Sequence, residues 1–425
     1  MKKITLSAVA ILSLAGGFSS TLSASDDFTL FSNAKFNGQV HPRYEHVDVD
    51  PSTLKNADAF TVRAMLGLET TLFGIDGLSL KVDGTTVQTL GGTHYDNHPS
   101  PILGDKRYEL VADPEQTRFT QAHLQYKYGK TVAKVGRQIV NLDNQRFIGS
   151  VDWRQMPQSL DAVSISDTSI AGLTLYGAYV YNYETVLKEQ TWDSKSVILN
   201  GSYKVNDMLK ITAYDYMLSL EKNKFAADTI GLALTGDVPA GAAKINYRAE
   251  YAKQVDATFK TATRTTKEAD AYYYNIHALA NISGVLVGAA YEVLSGTTTN
   301  TAGTASIDGK TAFFTPLSTL HAFNGWADVF LARTPLGGLH DATATLGYTA
   351  PGLGKAMAIY HDFKTDKTMG GKSDLGNELD LLYTNAVPGV KGLNGLLKAA
   401  YYKGGDVAGY KNDKTILWAE LDYKF

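Results

Sequence analysis

Arginines and aspartates are interspersed along one segment of the sequence, residues 134–163. The arginines are Arg137, Arg146 and Arg154. The aspartates are Asp143, Asp152 and Asp161. Because a guanidinium binds a carboxylate or phosphate through two parallel hydrogen bonds, such a cluster can bind passing anions from the wall of a pore. Equally, the arginines can pair with the aspartates and fix the connecting loop in place.

A second group of charged residues occupies alternate positions in the predicted strands described below. Its basic members are Arg43, Arg63, Lys81 and Arg248. Its acidic members are Glu45, Glu69, Asp83 and Glu250. We predict that all of them point into a lumen, where opposed charges create a transverse field that favours polar or charged solutes. The alternative is a solvated wall in which no single residue controls selectivity.

Several other chemistries are disfavoured. The chain has no cysteine, which excludes thiol catalysis, thiolate metal sites and disulfides. It has no Gly-x-Ser-x-Gly element, so we predict that it is not an enzyme. A formal net charge of -3 argues against nucleic-acid binding. We predict no cofactor and no metal, because the polar residues of the first long connection, His94, Asp96, His98 and Asp105, fix no coordination geometry by their spacing.

The last twelve residues show which elements must position these groups. Apolar side chains occupy every second position, at Leu417, Ala419, Leu421, Tyr423 and Phe425. Charged side chains stand between them at Glu420, Asp422 and Lys424. A two-residue period indicates a strand with one apolar and one polar face. In a membrane barrel the apolar face contacts lipid, the charged face lines a wet lumen, and the terminal aromatic residues lie at the interface.

The same alternation recurs along the chain and predicts eighteen strands, with sixteen as the alternative count. They are centred on residues 35–45, 60–69, 78–83, 121–128, 131–140, 159–166, 173–183, 196–205, 208–218, 228–235, 243–254, 271–280, 285–294, 339–348, 355–363, 375–384, 396–403 and 414–425. Links such as 73–77 and 129–130 are short, whereas 91–116, 141–158 and 296–336 are long and are expected to fold inward. The fold class is therefore all-β, a transmembrane antiparallel β-barrel with short periplasmic turns and long extracellular loops.

The first residues have the pattern of an export signal. Lys2 and Lys3 precede an apolar run from Ile4 to Gly17, and small residues follow. We predict a signal peptide at 1–24 and a single outer-membrane barrel at 25–425. No later stretch reaches the roughly 18 consecutive apolar residues that a membrane helix needs.

Three stretches resemble the alginate-export family of bacterial outer-membrane porins. The first contains Gly136-Arg137-Gln138, Arg146-Phe147-Ile148-Gly149 and Trp153-Arg154 in that order, the second is 314–328, and the third is the Gly-Asn-Glu-Leu-Asp of 376–380. The similarity spans most of the chain after residue 24. It implies an eighteen-stranded barrel with an arginine-lined pore.

The leading functional prediction is a porin in the outer membrane of a Gram-negative-type bacterium, a passive channel for small hydrophilic solutes, with anions as one option. The first alternative is export of an anionic polysaccharide such as alginate, which only the resemblance implies. The second is a structural or adhesive surface barrel. Expected partners are outer-membrane lipid, the solutes and the barrel-assembly machinery, through the strand that ends at Phe425. The sequence leaves open a monomer or a homotrimer.

Overall fold

The computed structural model describes residues 30–425 apart from 101–102, 189, 222–224, 261–264, 268–269, 308 and 332–333. The predicted signal peptide lies outside the described residues. In the described part the regular secondary structure consists of nineteen β-strands. The same part contains no helix with the length and apolarity to cross a membrane.

All the paired strands are antiparallel. Their bounds are β1 Phe31–Asp50, β2 Ala57–Leu72, β3 Leu78–Thr89, β4 Gln116–Tyr128, β5 Thr131–Gln138, β6 Ser159–Asp167, β7 Leu173–Glu184, β8 Thr191–Asn206, β9 Leu209–Leu220, β10 Phe225–Ala240, β11 Ala243–Lys260, β12 Thr265–Lys267, β13 Ala271–Ile282, β14 Val285–Ser295, β15 Gly338–Ala350, β16 Gly354–Met369, β17 Lys372–Ala386, β18 Leu393–Lys403 and β19 Asp413–Lys424.

The sheet closes on itself because β19 pairs antiparallel with β1, with Lys424 opposite Gln39. Just beyond that register, Gly38 and Phe425 exchange two backbone hydrogen bonds, of 2.9 and 3.1 Å. The three-residue β12 pairs with the end of β11, and β11 also pairs directly with β13. The ring therefore has eighteen strands, which confirms the predicted count and excludes sixteen.

The two faces of the ring differ as the alternation predicts. On the outer wall, large apolar side chains are exposed, such as Phe36 at 59% and Leu346 at 61%. On the inner wall, charged side chains are buried, such as Arg43 at 1% and Glu378 at 0%. A one-residue change of register would exchange the two sets of side chains, so this pattern strongly specifies the pairing.

Connections at one end of the barrel, the turn end, are short, and those at the other, the loop end, include three long ones. At the turn end, Gly77 has φ +80, and a Cβ there would lie 2.1 Å from the carbonyl oxygen of Lys127, so the tight link 73–77 requires glycine. We name the long connections loop A, 90–115, loop B, 139–158, and loop C, 296–337. All three contact inner-wall side chains.

An aromatic cluster packs loops B and C against the wall. Phe147 of loop B has its ring centroid 5.2 Å from Tyr214 of β9 and 5.3 Å from Tyr273 of β13. Phe313 of loop C lies 6.1 Å from the same Phe147 ring. The tyrosines of 208–218, Tyr214 and Tyr216, both lie on the inner face of β9, where the Phe147 ring covers them at centroid distances of 5.2 and 6.1 Å.

Candidate functional site: the narrowed lumen

The inner wall of β1 and β2 carries three of the residues predicted to line a pore. Arg43 and Glu45 stand two residues apart on β1, and Arg63 on β2 lies opposite His41. All three predicted residues are at most 3% exposed. Because charges buried this deeply need partners, their contacts show what occupies the lumen beside them.

Arg43 connects the wall to loops A and B. Its guanidinium donates one hydrogen bond to the Asp113 carboxylate of loop A and another to the backbone oxygen of Trp153 in loop B. Glu45 lies 3.4 Å from the same guanidinium. Asp113 also accepts a 2.8 Å hydrogen bond from the backbone N–H of Gln155. The wall and the two loops therefore share one hydrogen-bonded network.

Arg154 of loop B extends this network to loop C. Its guanidinium donates to both carboxylate oxygens of Glu45 at 3.2 Å and to Asp328 of loop C at 2.9 Å. Asp113 of loop A lies 3.7 Å away. Burial alone would lower the pKa of Arg154, but the three carboxylates raise it above its ordinary value. Arg154 therefore stays charged and links all three loops.

Asp328 is also paired with a histidine of its own loop. Nδ1 of His321 lies 2.7 Å from a carboxylate oxygen of Asp328. Burial opposes ionisation of Asp328, but His321 and then Arg154 lower its pKa to about 2. Burial lowers the pKa of His321 to about 3, although Asp328 acts in the opposite direction. At neutral pH the pair is therefore a carboxylate and a neutral imidazole.

Arg63 gives loop B a second attachment to the wall. It donates a 2.9 Å hydrogen bond to the Asp152 carboxylate and approaches the backbone oxygen of Arg154 at 3.4 Å. It also lies 3.2 Å from the ring of His41.

Arg146 attaches loop B to another part of the ring. It donates to both carboxylate oxygens of Glu292 on β14, at 2.9 and 3.1 Å, and to the Asn324 side chain of loop C at 2.9 Å. The Phe323 ring centroid lies 4.8 Å from its guanidinium carbon. Burial lowers the pKa of Arg146, but the Glu292 carboxylate raises it by more, so the pKa lies above its ordinary value.

Arg248 and Glu250 of β11 form a third attachment. Arg248 donates to Glu250 at 2.8 Å and to the Asp143 carboxylate of loop B. Tyr214 donates a 2.7 Å hydrogen bond to Glu250. These contacts hold the start of loop B, as Arg63 and Arg154 hold its end.

The aspartates of the 134–163 segment have partners other than those their sequence spacing suggests. Asp143 pairs with Arg248, and Asp152 pairs with Arg63. Only the pair of Arg137 and Asp161 joins an arginine and an aspartate of that segment, through hydrogen bonds of 2.7 and 3.0 Å. Both interpretations of the arginines predicted ionic contacts, but most of the observed contacts are long-range.

Arg137 does not join Arg146 and Arg154 in the lumen, and the prediction that it lines the pore is corrected. In the ladder it shares a side of β5 with Val135, which is 47% exposed on the outer wall. Its neighbour Gly136 has φ +120, and a Cβ there would lie 2.4 Å from the oxygen of Ala122. Besides Asp161, Arg137 pairs with Glu184 at 2.8 Å. Arg137 thus belongs to an ion-pair group near the loop end of the outer wall.

Lys81, Glu69 and Asp83 lie on the inner wall in the half of the barrel nearer the turn end. Glu69 stands opposite both Lys35 and Lys81 in the ladders, and Lys81 lies 3.7 Å from Asp83. They are not drawn into the loop network, and the Lys81 side chain is 30% exposed.

Lysines predominate on the inner wall of this half, a feature that the sequence analysis missed. The lysines at inward positions are Lys35, Lys81, Lys127, Lys134, Lys204, Lys210, Lys244, Lys355 and Lys424. The carboxylates at inward positions are Glu69, Asp83, Asp237 and Asp422. Strand alternation alone would have identified them. The wet half of the lumen is therefore positively charged, although the chain as a whole is acidic.

The sequence analysis also missed the acidic inner wall beside loop C. Its buried carboxylates are Glu292, Asp341, Glu378 and Asp380. Backbone N–H groups of Trp326 and Ala327 donate to Asp380 at 3.1 Å and to Glu378 at 2.7 Å. Alternation within the predicted strands would have placed these acids inward, but their loop partners follow from no local pattern.

The polar residues of loop A are engaged by its own basic residues. Asp96 binds Lys106, and Asp105 binds Arg107 at 2.6 Å. Across the described residues, no group of three or more His, Asp or Glu side chains has a geometry that could hold a metal ion.

Fold and site together define a closed eighteen-stranded barrel with an apolar outer wall and a charged lumen narrowed by inward loops. Solved structures share this architecture. Pseudomonas aeruginosa OpdK, crystallised with vanillate, has 15% identity and a TM-score of 0.70, with 93% of this chain and 100% of that chain covered. P. aeruginosa OpdO has 16% identity and a TM-score of 0.69, with 93% and 98% covered. Acinetobacter baumannii OccAB4 has 16% identity and a TM-score of 0.67, with 93% and 98% covered. No family model and no curated protein sequence matches the chain.

Proposed function

We propose that this chain is an outer-membrane porin, a passive diffusion channel for small hydrophilic solutes. One observation carries the proposal: a closed ring has an exposed apolar outer wall, while charged side chains and three loops occupy its lumen. A soluble protein rarely exposes so much contiguous apolar surface, whereas lipid would cover it. Structural neighbours of the Occ and Opd type are outer-membrane porins, which supports this location and a non-enzymatic role.

The charge distribution favours small anions as the preferred solutes. A solute that leaves the loop network towards the turn end meets the lysines described above, and their field concentrates anions in the wide half of the lumen. At the network itself the arginines are already paired with carboxylates, so they shape the constriction more than they bind solute. Selectivity therefore arises mainly from the excess of lysines over carboxylates on the inner wall of this half.

The proposed organisation is a signal peptide at 1–24 and one barrel at 25–425. The strand ending at Phe425 would be recognised by the barrel-assembly machinery, and lipid would surround the outer wall. A monomer and a homotrimer both fit this arrangement.

Export of an anionic polysaccharide is the second candidate, supported by the resemblance to the alginate-export family and by the lysine-rich inner wall. A polymer requires a continuous path wide enough for a sugar chain, whereas here loop B is hydrogen-bonded to both loop A and loop C inside the lumen. That contact pattern favours small solutes. A structural or adhesive barrel is the third candidate.

Planar-bilayer recordings and liposome swelling test these candidates together. A small-solute porin gives stepwise conductance, anion preference in a salt gradient, and swelling rates that fall steeply with sugar size. Concentration-dependent block by uronate oligomers would support the exporter. Heat-modifiable migration in gels identifies folded protein. If the folded protein gives no conductance above that of the bare bilayer, the structural barrel is the candidate that this result supports.

A further inference from the structure

Three tryptophans surround the side-chain ammonium of Lys398 inside the lumen. The nitrogen lies 3.6 Å from the ring centroid of Trp326, 4.1 Å from that of Trp153 and 5.3 Å from that of Trp418. It also lies 2.7 Å from Nε2 of His321. We call this group of rings the tryptophan cage. Its direct contacts with the cation are aromatic faces and an imidazole nitrogen.

The cage is assembled from separate parts of the chain. Trp153 belongs to loop B, Trp326 and His321 belong to loop C, and Trp418 projects inward from β19. Lys398 projects inward from β18, the strand next to β19. Filling the cage with one ammonium therefore attaches both loops to the wall at the same point.

The rings also support one another. The His321 ring stacks on Trp153 with a centroid distance of 4.2 Å and an interplanar angle of 6°. Trp418 meets Trp153 edge-on at 5.6 Å. Because His321 donates from Nδ1 to Asp328, its Nε2 carries the lone pair that accepts a hydrogen bond from the lysine ammonium. The site therefore combines aromatic faces for a cation with one hydrogen-bond acceptor, which suits a primary alkylammonium ion.

Nearby arginines are held differently. Arg154 and Arg146 are neutralised by direct contact with carboxylates. Lys398 is 8% exposed, and a buried ammonium is costly unless its surroundings stabilise the charge. The rings stabilise the charge by direct contact, and the carboxylates of Asp380 and Asp328 stabilise it from further away. The cage should therefore lose its order when the ammonium is removed.

We propose that the tryptophan cage is an alkylammonium-binding site that Lys398 fills as an internal ligand, and that this occupancy holds loops B and C in the constricting position. Binding in the cage does not depend on the proposed channel function. The effect on conductance does rest on it.

Chemical rescue tests the binding site. Lys398→Ala removes the three terminal carbons and the nitrogen, a fragment that n-propylammonium replaces. With Trp192→Phe in all samples, tryptophan emission reports the cage alone. We expect a red shift in Lys398→Ala that n-propylammonium reverses and that 1-propanol, which is neutral, does not. Unchanged emission in Lys398→Ala, or equal rescue by 1-propanol, would overturn the proposal.

A second variant covers the case in which Lys398→Ala does not fold. Lys398→Met keeps the length of the stem and removes the charge, and we expect a red shift and faster proteolysis within loops B and C. Lys403→Met, an exposed lysine on the same strand, should behave as the parent in both measurements. Identical proteolysis of Lys398→Met and the parent would refute the role in holding the loops.

Conductance then separates this inference from the proposed function. In planar bilayers, Lys398→Met should show more open-channel noise and larger conductance than the parent. A parent without channels contradicts the porin proposal, while the fluorescence rescue still decides whether the cage binds an ammonium. A conducting parent with an indistinguishable Lys398→Met contradicts the control of the loops by Lys398.

Discussion

Arg154 of loop B donates a 2.9 Å hydrogen bond to Asp328 of loop C, and both side chains are buried. This contact is a direct ionic link between loops B and C. Because Arg154 also holds Glu45 of β1, it couples the position of each loop to the barrel wall.

Replacing Arg154 with glutamine should loosen the constriction. Its loss leaves three buried carboxylates without their shared cation, and breaking such a buried pair costs about 3–5 kcal/mol. We expect the variant to unfold at a lower urea concentration, as measured by heat-modifiable migration in gels. We also expect its open channels to be noisier. The matched control is Arg107→Gln, because that arginine is 70% exposed in its pair with Asp105. Equal stability of the two variants would contradict the structural role of Arg154.

The inner-wall lysines should set ion preference. Replacing Lys35, Lys81 and Lys134 together with glutamine removes positive charge from the wide half of the lumen. We expect the reversal potential in a salt gradient to shift towards cation preference, and the shift to shrink as ionic strength rises. Lys195→Gln, an exposed outer-wall substitution, should leave the reversal potential unchanged. A triple variant that keeps the parent's selectivity would show that other groups control it.

Acidification should weaken the docking of loop C inside the lumen. The pKa of His321 is about 3 when docked and near 6.5 when the side chain is free, so between these values the undocked loop binds a proton that the docked loop does not. Docking is therefore strongest above pH 6.5 and loses up to about 1.4 kcal/mol per pH unit below it. The charged groups facing the ring are Asp328, Lys398 and Arg154.

Open-channel noise recorded from pH 7 to pH 4 measures this effect, and it should rise as the pH falls. His321→Gln, whose amide stays neutral, should abolish the dependence in this range. Asp328, with a pKa of about 2 against an ordinary 3.8, contributes only below about pH 4. Noise that stays constant from pH 7 to pH 4 in the parent would contradict the prediction.

Arg137 provides a test of its corrected location. Replacement with glutamine leaves Asp161 and Glu184 without their main cation on the outer wall, so we expect lower thermal stability. Ion selectivity should not change, because the side chain is outside the lumen. Arg146→Gln, which removes the partner of Glu292 inside the lumen, should change both stability and channel noise. Altered ion selectivity in Arg137→Gln would show that this side chain lines the pore.

Strand positions were predictable from the sequence because one face of each strand is apolar and the other is polar. The same periodicity predicts that Arg43, Glu45 and Arg63 point inward, and the structure buries all three side chains. Periodicity did not predict the location of Arg137, because Gly136 adopts a positive φ that a pattern of residue types does not reveal. Likewise, the ladder between β6 and β7 changes register beside Tyr181. Tyr183 is therefore buried on the inner face, although Tyr179, four residues earlier, is exposed on the outer face.

The loop contacts were not predictable. Asp113, Asp328 and Glu292 are distant from their arginine partners in sequence, and no local period relates a loop residue to a wall position. Their pairing depends on the diameter of the ring and on the path of each loop across it.

Closure between β1 and β19 pairs residues from the two ends of the described chain. Such a contact has the greatest possible sequence separation, so its loop-closure entropy is the largest in the molecule. Until β1 and β19 pair, each has an edge of unsatisfied backbone hydrogen-bonding groups. Such an edge promotes aggregation in water and costs free energy in hydrocarbon. We therefore expect folding of this chain to be favoured by any factor that protects the edges of β1 and β19 until these strands pair.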